Sequence, residues 1–519
     1  MPSKSPPRRS GPAGSRVLAA GRARPDLTTG PIGRTLLTFA LPVLGSNILQ
    51  SLNGSANAVW VSHVLGEAAL TATSNANQVF FLMLGAVFGI SMAANIMIGH
   101  AVGAKDEALA KRVVGTSTTF FVVLSLIVGG LGLVFTPAIL RGMHTPPDAQ
   151  VDAIIYLRVI FAAMPFIYFF AFVQMAQRGV GDSRTPFYFS LMAVGLDVLL
   201  NPLLIMGVGP FPKMGIAGSA TSTLVSQTFT LAVMLLHLHR SRSLLILQPH
   251  EWRLLKPDFA IIRNLALKGM PMAFQMMVIS LAAVTMMRMV NAYGSHTAAA
   301  YGAALQLWTY VQMPAMALGA AASSMAAQNV GAGKMDRVDK VAVVGIAYSF
   351  LFTATPVLLI YLADPIVLRA FLPAASPSLP IAVHINSIVL WGFIPFGVSF
   401  IFAGIVRATG AVWPPLLAMI ISLWGVRVPL AQLLTPHLGA DAIWISFSVG
   451  SLSTCLLAGA YYQWGDWRKA RMLDTGPHGA APDTGMGPPS LVEESEASDE
   501  VNRSSRAAPS RPASEVVAE

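Results

Sequence analysis

From Leu36 to Tyr462 the chain alternates long apolar runs with short polar breaks, and twelve of the runs reach the ~20 residues that a membrane-crossing helix needs. They fall at 36–62, 72–100, 113–139, 153–177, 185–207, 215–237, 266–291, 298–328, 341–363, 382–406, 413–434 and 441–463. The pattern predicts an all-α polytopic membrane protein whose main partner is the lipid bilayer. Composition agrees: 54% of the residues are hydrophobic and 11% charged, too apolar for an ordinary soluble domain.

The formal charge of +10 raises the question of a nucleic-acid partner, but the basic residues sort by loop. Lys105, Lys111, Arg112, Arg178, Arg184, Lys334, Arg337, Lys340 and Arg407 stand in the even-numbered breaks, Arg240, Arg242, Arg253, Lys256 and Arg263 in the central connection, and only Arg141, Lys213 and Arg369 in the odd ones. By the positive-inside rule both termini and every even loop are cytoplasmic, in a bacterial inner membrane, and the charge is topogenic. Nucleic acid is therefore not an expected partner. Residues 1–30 and 466–519 are rich in Pro, Arg, Ser and Glu and are expected to be a disordered basic arm and a disordered tail, both cytoplasmic. The single cysteine, Cys455, leaves no disulfide and no cysteine-based metal site.

The runs repeat in order. Phe39-Ala-Leu-Pro42 pairs with Leu267-Lys-Gly-Met-Pro271, Gln78 with Gln306, Val102-Gly-Ala-Lys105 with Val330-Gly-Ala-Gly-Lys334, Pro165 with Pro395, Gly181 with Gly410, and Pro186 with Pro415. Six being even, both halves start on the same side, so the expected architecture is two parallel six-helix repeats around a central cavity. The domain plan is an N-lobe over 31–240, a cytoplasmic connector over 241–262 and a C-lobe over 263–465, with a single chain expected to act as a monomer. Two lobes rocking about a shared cavity suit a transporter. Gln78 and Gln306 are expected either to line that cavity or to bond helix to helix.

Among the acids, Asp197 stands apart. Most others fall in breaks or tails, with Asp364 at the end of the ninth run, while Asp197 lies about 18 Å into the fifth, near the bilayer midplane. A charge there costs at least ~2.5–3.5 kcal/mol, so an intramembrane carboxylate points to function. One carboxylate can hold a proton or a cation, but not both comfortably, and that competition is the minimum chemistry of an antiporter. Asn201 shares its helix face at i+4, and Asn57 or Thr223 can complete an oxygen-rich pocket in which Asp197 and Asn201 would ligate sodium.

The stretches Leu196-Asp197-Val-Leu-Leu-Asn201-Pro202, Met214-Gly-Ile-Ala-Gly218-Ser-Ala-Thr-Ser-Thr223, Ala299-Ala-Tyr-Gly302, Ala327-Gln-Asn-Val-Gly331 and Ala403-Gly-Ile-Val-Arg407-Ala-Thr-Gly410, in this order and with the duplication, resemble the multidrug and toxin extrusion family over residues 31–465. The resemblance implies export of cationic or amphipathic small molecules against inward protons or sodium, with no cofactor and no enzyme activity. It also implies site residues of the DinF-like branch: a helix 1 proline at Pro42, a helix 6 threonine at Thr223, a helix 1 aspartate replaced here by Asn57, and a helix 5 pair in reversed order, Asp197 then Asn201. At the places where the NorM-like branch carries acids this chain has Ile279 and Phe396.

The main competing function is a lipid-linked saccharide flippase of the same superfamily, which would line its cavity with several basic residues. An enzyme would need a metal or nucleophile constellation, and there is no His-Glu-x-x-His and no serine elbow.

Overall fold

Hydrocarbon offers no hydrogen-bond partners, so apolar runs of this length satisfy their backbones only as helices. The computed structural model, which describes residues 26–143, 145–373 and 375–472, has a helix at each expected place. The first half comprises α1 (Ile32–Leu65), α2 (Glu67–Gly103), α3 (Glu107–Gly142), α4 (Pro147–Gly179), α5 (Arg184–Met206) and α6 (Ile216–Arg240). The second comprises α7 (Phe259–Asn291), α8 (Ser295–Gly331), α9 (Met335–Leu368), α10 (Ser378–Thr409), α11 (Trp413–Leu438) and α12 (Asp441–Trp464). Most extend beyond their apolar run because polar first and last turns continue the helix outside the lipid.

Eleven of these helices contain a window apolar enough to cross a membrane by length and composition. The exception is α8. It is rich in Ala, Ser and Gln, and a nearly continuous face from Leu318 to Asn329 is buried. Its surroundings are protein rather than lipid, so it needs less hydropathy than the others.

The duplication is written into the backbone. Gly66 joins α1 to α2 at φ 89°, ψ −173°, and Gly294 joins α7 to α8 at φ 92°, ψ 173°. The matched Gly181 and Gly410 have φ of 94° and 103°. Gly215 before α6 and Gly439 before α12 share φ 56–58° and ψ −132°. Such angles suit only glycine, and their recurrence fixes the register between the halves.

The halves meet through α2, α7 and α8 at one end of the bundle. Asn95 Nδ2 donates to Ser324 Oγ at 3.3 Å. On either side run two related bonds: His100 Nε2 to the Ala408 carbonyl at 2.6 Å, and Gln328 Nε2 to the Gly179 carbonyl at 2.9 Å. His100 and Gln328 each stand two residues before the matched Val102 and Val330, and Gly179 and Ala408 each two before the matched Gly181 and Gly410. Glycine permits the approach: a Cβ on Gly103 would overlap the Gln328 carbonyl, and one on Gly331 the His100 carbonyl. All hydrogen bonds that join the halves among the described residues lie at this end.

Both terminal segments differ from the expected free tails where they are described. Residues 1–25 and 473–519 lie outside the described residues, but Asp26–Gly30 is strapped to the second half. Asn329 Nδ2 donates to the Leu27 carbonyl at 3.1 Å, and Arg337 Nη2 to the carbonyls of Thr29 and Gly30 at 2.8 Å. After α12, Trp467 is 0% exposed, stacks on Tyr462 with ring centroids 5.0 Å apart and donates to the Tyr462 carbonyl at 2.6 Å. Trp467→Ala is therefore expected to cost about 3–5 kcal/mol, read as a lower unfolding midpoint of the detergent-solubilised protein.

The connector is docked as well. Residues Pro249–Leu255 form a 3₁₀ helix lying against the start of α3. Lys111 pairs with Glu251, and the ammonium holds that carboxyl below its usual range. Arg112 pairs with Asp258 at 2.5 Å, and Asp258 caps α7.

Candidate functional site

Helix α5 carries Asp197 and Asn201 on one face because residues four apart lie one above the other. Asp197 stands 13 residues after Arg184, about 20 Å along the helix, and is 4% exposed. A carboxylate this far from water needs donors, and three side chains supply them. Asn53 Nδ2 of α1 donates to Oδ2 at 2.9 Å, Ser222 Oγ of α6 to Oδ1 at 2.6 Å, and Thr223 Oγ1 to the carboxylate at 3.3 Å. No Lys, Arg or His forms an ion pair with Asp197 among the described residues, so the acid is held by neutral groups alone.

One turn further along α1 and α5 the pattern repeats. Asn201 Nδ2 and Ser219 Oγ both donate to Asn57 Oδ1, at 2.8 and 2.6 Å. Asn57 Nδ2 reaches the Tyr156 hydroxyl at 3.4 Å, which in turn donates to Asn77 Oδ1 of α2 at 3.4 Å. Asn201 Oδ1 is buried without a hydrogen-bond partner. An orphaned carbonyl oxygen on the same face as the carboxylate is an acceptor suited to a hard cation or a bound proton donor.

Of the residues expected at the site, the structure brings Asp197, Asn201, Asn57 and Thr223 into this network. It does not bring in the other three. Pro42 lies inside an unbroken α1, 11 residues before Asn53 and so about 16 Å away along the helix. Gln78 and Gln306 are exposed on α2 and α8 and make no side-chain hydrogen bond among the described residues. Asn77, the neighbour of Gln78, faces the network instead, since adjacent helix positions point about 100° apart. Asn53, Ser219, Ser222, Tyr156 and Asn77 were not anticipated from the sequence. The signal that finds them is the i, i+4 spacing of Asn53 and Asn57 and the i, i+3, i+4 spacing of Ser219, Ser222 and Thr223, polar stripes on otherwise apolar helices.

A second buried acid corrects the expectation that only the first half has one. Asp364 is 4% exposed, and Asn386 Nδ2 donates to it at 2.7 Å while Trp308 Nε1 donates to Asn386 Oδ1 at 2.9 Å. It stands next to a break in α9, where Ala363, at φ −127° and ψ 16°, leaves the helical path.

The family model MatE matches the chain twice, over residues 42–203 and 271–433, one match in each half. The chain belongs to the MATE family. It is 35% identical over 443 residues to the probable multidrug resistance protein YoeA of Bacillus subtilis (strain 168), covering 85% of this chain and 95% of that one. Its identity to the probable multidrug resistance protein YpnP of the same strain is 30% over 454 residues, 86% and 98% of the two chains. The fold is similar to that of a MATE crystallised in the straight conformation, with a TM-score of 0.79 at 20% identity over 86% of this chain and 98% of that one. As a MATE protein the chain is a multi-pass membrane transporter of small molecules and not an enzyme, with twelve helices in two repeats.

Proposed function

We propose that this MATE protein is a secondary antiporter that exports cationic or amphipathic small molecules in exchange for protons or sodium, with Asp197 as the coupling carboxylate. The observation that carries the reading is a nearly fully buried carboxylate in mid-span, solvated by Asn53, Ser222 and Thr223 and neutralised by no cationic side chain among the described residues. Such a group is stable with a proton or a bound cation and costly without either. Ion and cationic substrate then compete for one charge, so each drives the other off. Where sodium is the coupling ion it is exchanged rather than resident, and the oxygens that would receive it are those of Asp197 and Asn201.

The populated first-half network, set against Ile279 and Phe396 in the second, supports the DinF-like branch. Basic residues at the end where the halves are bonded support a cytoplasmic placement of that end and of both termini, in a bacterial inner membrane, with the chain working as a monomer of N-lobe (31–240) and C-lobe (263–465). The names of the Bacillus subtilis relatives favour drug export over saccharide flipping.

Export of a fluorescent cationic dye from vesicles, under an imposed pH gradient with and without a sodium gradient, tests the reading. Gradient-driven export supports it. Gradient-independent flux, or uptake of a lipid-linked oligosaccharide in its place, would overturn it.

A further inference from the structure

At the end where the halves are bonded, α3, α6 and the connector bound a cavity of about 570 Å³. Its charged lining is Glu107 and Lys111 of α3, His239 of α6 and Arg242 of the turn that follows α6. A second cavity, of about 180 Å³, lies beside it, and Ile246 lines both. The second is mostly apolar: Val114 of α3, Phe172 of α4, Leu238 of α6 and Trp252 of the connector are among its walls.

Polarity follows depth. Lys111, Val114 and Thr118 line the two cavities at spacings of three and four, so they share one face of α3. Helix α3 starts at Glu107 and runs into the membrane from there, so Lys111 stands about 10 Å nearer the surface than Thr118. Helix α6 ends at Arg240 and agrees: Leu235 and Leu238 line the apolar cavity, and His239, at the helix end, lines the polar one. A charged pocket at the membrane surface thus continues into an apolar slot, the profile of a single amphiphile.

The plain alternative is a gap left by a loosely packed connector, and its contacts speak against that. Leu244 is 5% exposed and packs against Ala101 and Ala110. Thr119 Oγ1 donates to the Leu255 carbonyl at 2.7 Å, and Thr116 Oγ1 accepts from the Asp258 amide at 3.3 Å. Lys111 is fixed by its pairing with Glu251. Arg242 is held at φ 49°, one of two non-glycine residues in the left-handed region among the described residues. Such a backbone persists only where its surroundings enforce it. Neither Arg242 nor His239 forms an ion pair among the described residues.

The chain around the pocket is basic: from Arg240 to Arg263 five Arg and Lys residues stand against two acids. Basic pockets between membrane helices at the surface recognise anionic lipid headgroups. Trp252, 64% exposed, is the side-chain type that favours the headgroup level.

We propose that the two cavities form a binding site for one anionic phospholipid. Its phosphate meets Arg242, His239 and Lys111, and one acyl chain enters the slot between Val114, Phe172 and Trp252. The bound lipid ties the connector, through which the halves are joined, to α3 and α6. The site is separate from the Asp197 network and independent of the export reading, and it lies at the bonded end whichever compartment that end faces.

Native mass spectrometry of the detergent-purified full chain, titrated with phosphatidylglycerol and with phosphatidylcholine of the same acyl chains, tests the site. The native protein retains one phosphatidylglycerol at least about tenfold more tightly than phosphatidylcholine, the size expected for a net negative charge beside two or three basic side chains. Arg242→Asn removes one of those charges with a side chain that tolerates the left-handed backbone, and the preference falls about fivefold. Arg242→Lys keeps it. Thr118→Trp, which fills the slot, weakens both lipids alike and leaves their ratio unchanged; if that variant does not fold, Leu247→Trp on the connector is read in its place. Glycerol 3-phosphate, a headgroup without chains, does not displace the lipid. Equal retention of the two lipids, or a preference that Arg242→Asn leaves intact, would overturn the site. Displacement by glycerol 3-phosphate at the concentration of the lipid would overturn it in favour of a pocket for free phosphate.

Discussion

Asp197→Asn is expected to abolish coupled efflux and to leave the protein folded. The amide keeps the shape of the carboxylate and still accepts from Ser222 and Thr223, whose bonds to Asp197 measure 2.6 and 3.3 Å. It no longer holds a charge in mid-membrane, which removes a burden of ~2.5–3.5 kcal/mol, so the unfolding midpoint in detergent should equal or exceed that of the native protein. On the coupling role proposed for Asp197, the amide loses the exchange of a proton or cation for substrate. In proteoliposomes under an inward ion gradient, export of a cationic dye should fall to the level of empty vesicles. Gradient-driven export at the native rate would remove Asp197 from the mechanism.

The second large effect is at the bonded end of the lobes. A leucine at Gly103 or Gly331 would place side-chain atoms on the carbonyls of Gln328 and His100, and would separate the pair of bonds from His100 to Ala408 and from Gln328 to Gly179. Forcing bulk into this contact costs on the order of 3 kcal/mol, a roughly hundredfold fall in the population with this end closed. Each lobe keeps its own packing, so the protein should still insert and fold. Transport should fall by a similar factor, with the lobes held apart at that end. A cysteine pair replacing Asn95 and Ser324, which are in contact at 3.3 Å, reports the state. It should crosslink readily in the native background and poorly with Gly103→Leu. Equal crosslinking in both would show that the lobes close without this contact.

The fold was legible because lipid leaves so few choices: a run of ~20 apolar residues has to be a helix. The one helix without a sufficiently apolar window, α8, was still legible as the run 298–328, and the pairing of Gln306 with Gln78 agrees with it. The repeat also held in the glycine angles at Gly66 and Gly294, which no hydropathy pattern contains. The site was half legible. Asp197 stood out because an acid in a long apolar run is rare, and Asn201 followed from helical spacing. The family resemblance contributed Asn57 and Thr223, and also Pro42, which the structure leaves a long way down α1 from Asn53. Asn53, Ser219, Ser222 and Tyr156 stayed hidden because serine, asparagine and tyrosine are common in membrane helices, and only the packing of α1, α4, α5 and α6 shows which of them converge.

Two further features were closed to sequence reasoning. Asp364 looked like an ordinary end-of-helix acid, and the sequence does not show the break at Ala363 beside it. Arg427 lies within a long apolar run, and the sequence does not show the π-helix over Ile421–Arg427 that it ends. In both cases a charged residue stands at or beside a local departure from α-helical geometry.

The central claim, that coupling ion and cationic substrate compete for Asp197, is tested most directly by equilibrium binding to the purified protein. The affinity for a cationic dye is measured by fluorescence while the proton concentration, or sodium at fixed pH, is raised. The account predicts that dye affinity weakens as the coupling ion increases in the native protein, and that Asp197→Asn removes this dependence. The same ion dependence in Asp197→Asn as in the native protein would contradict it.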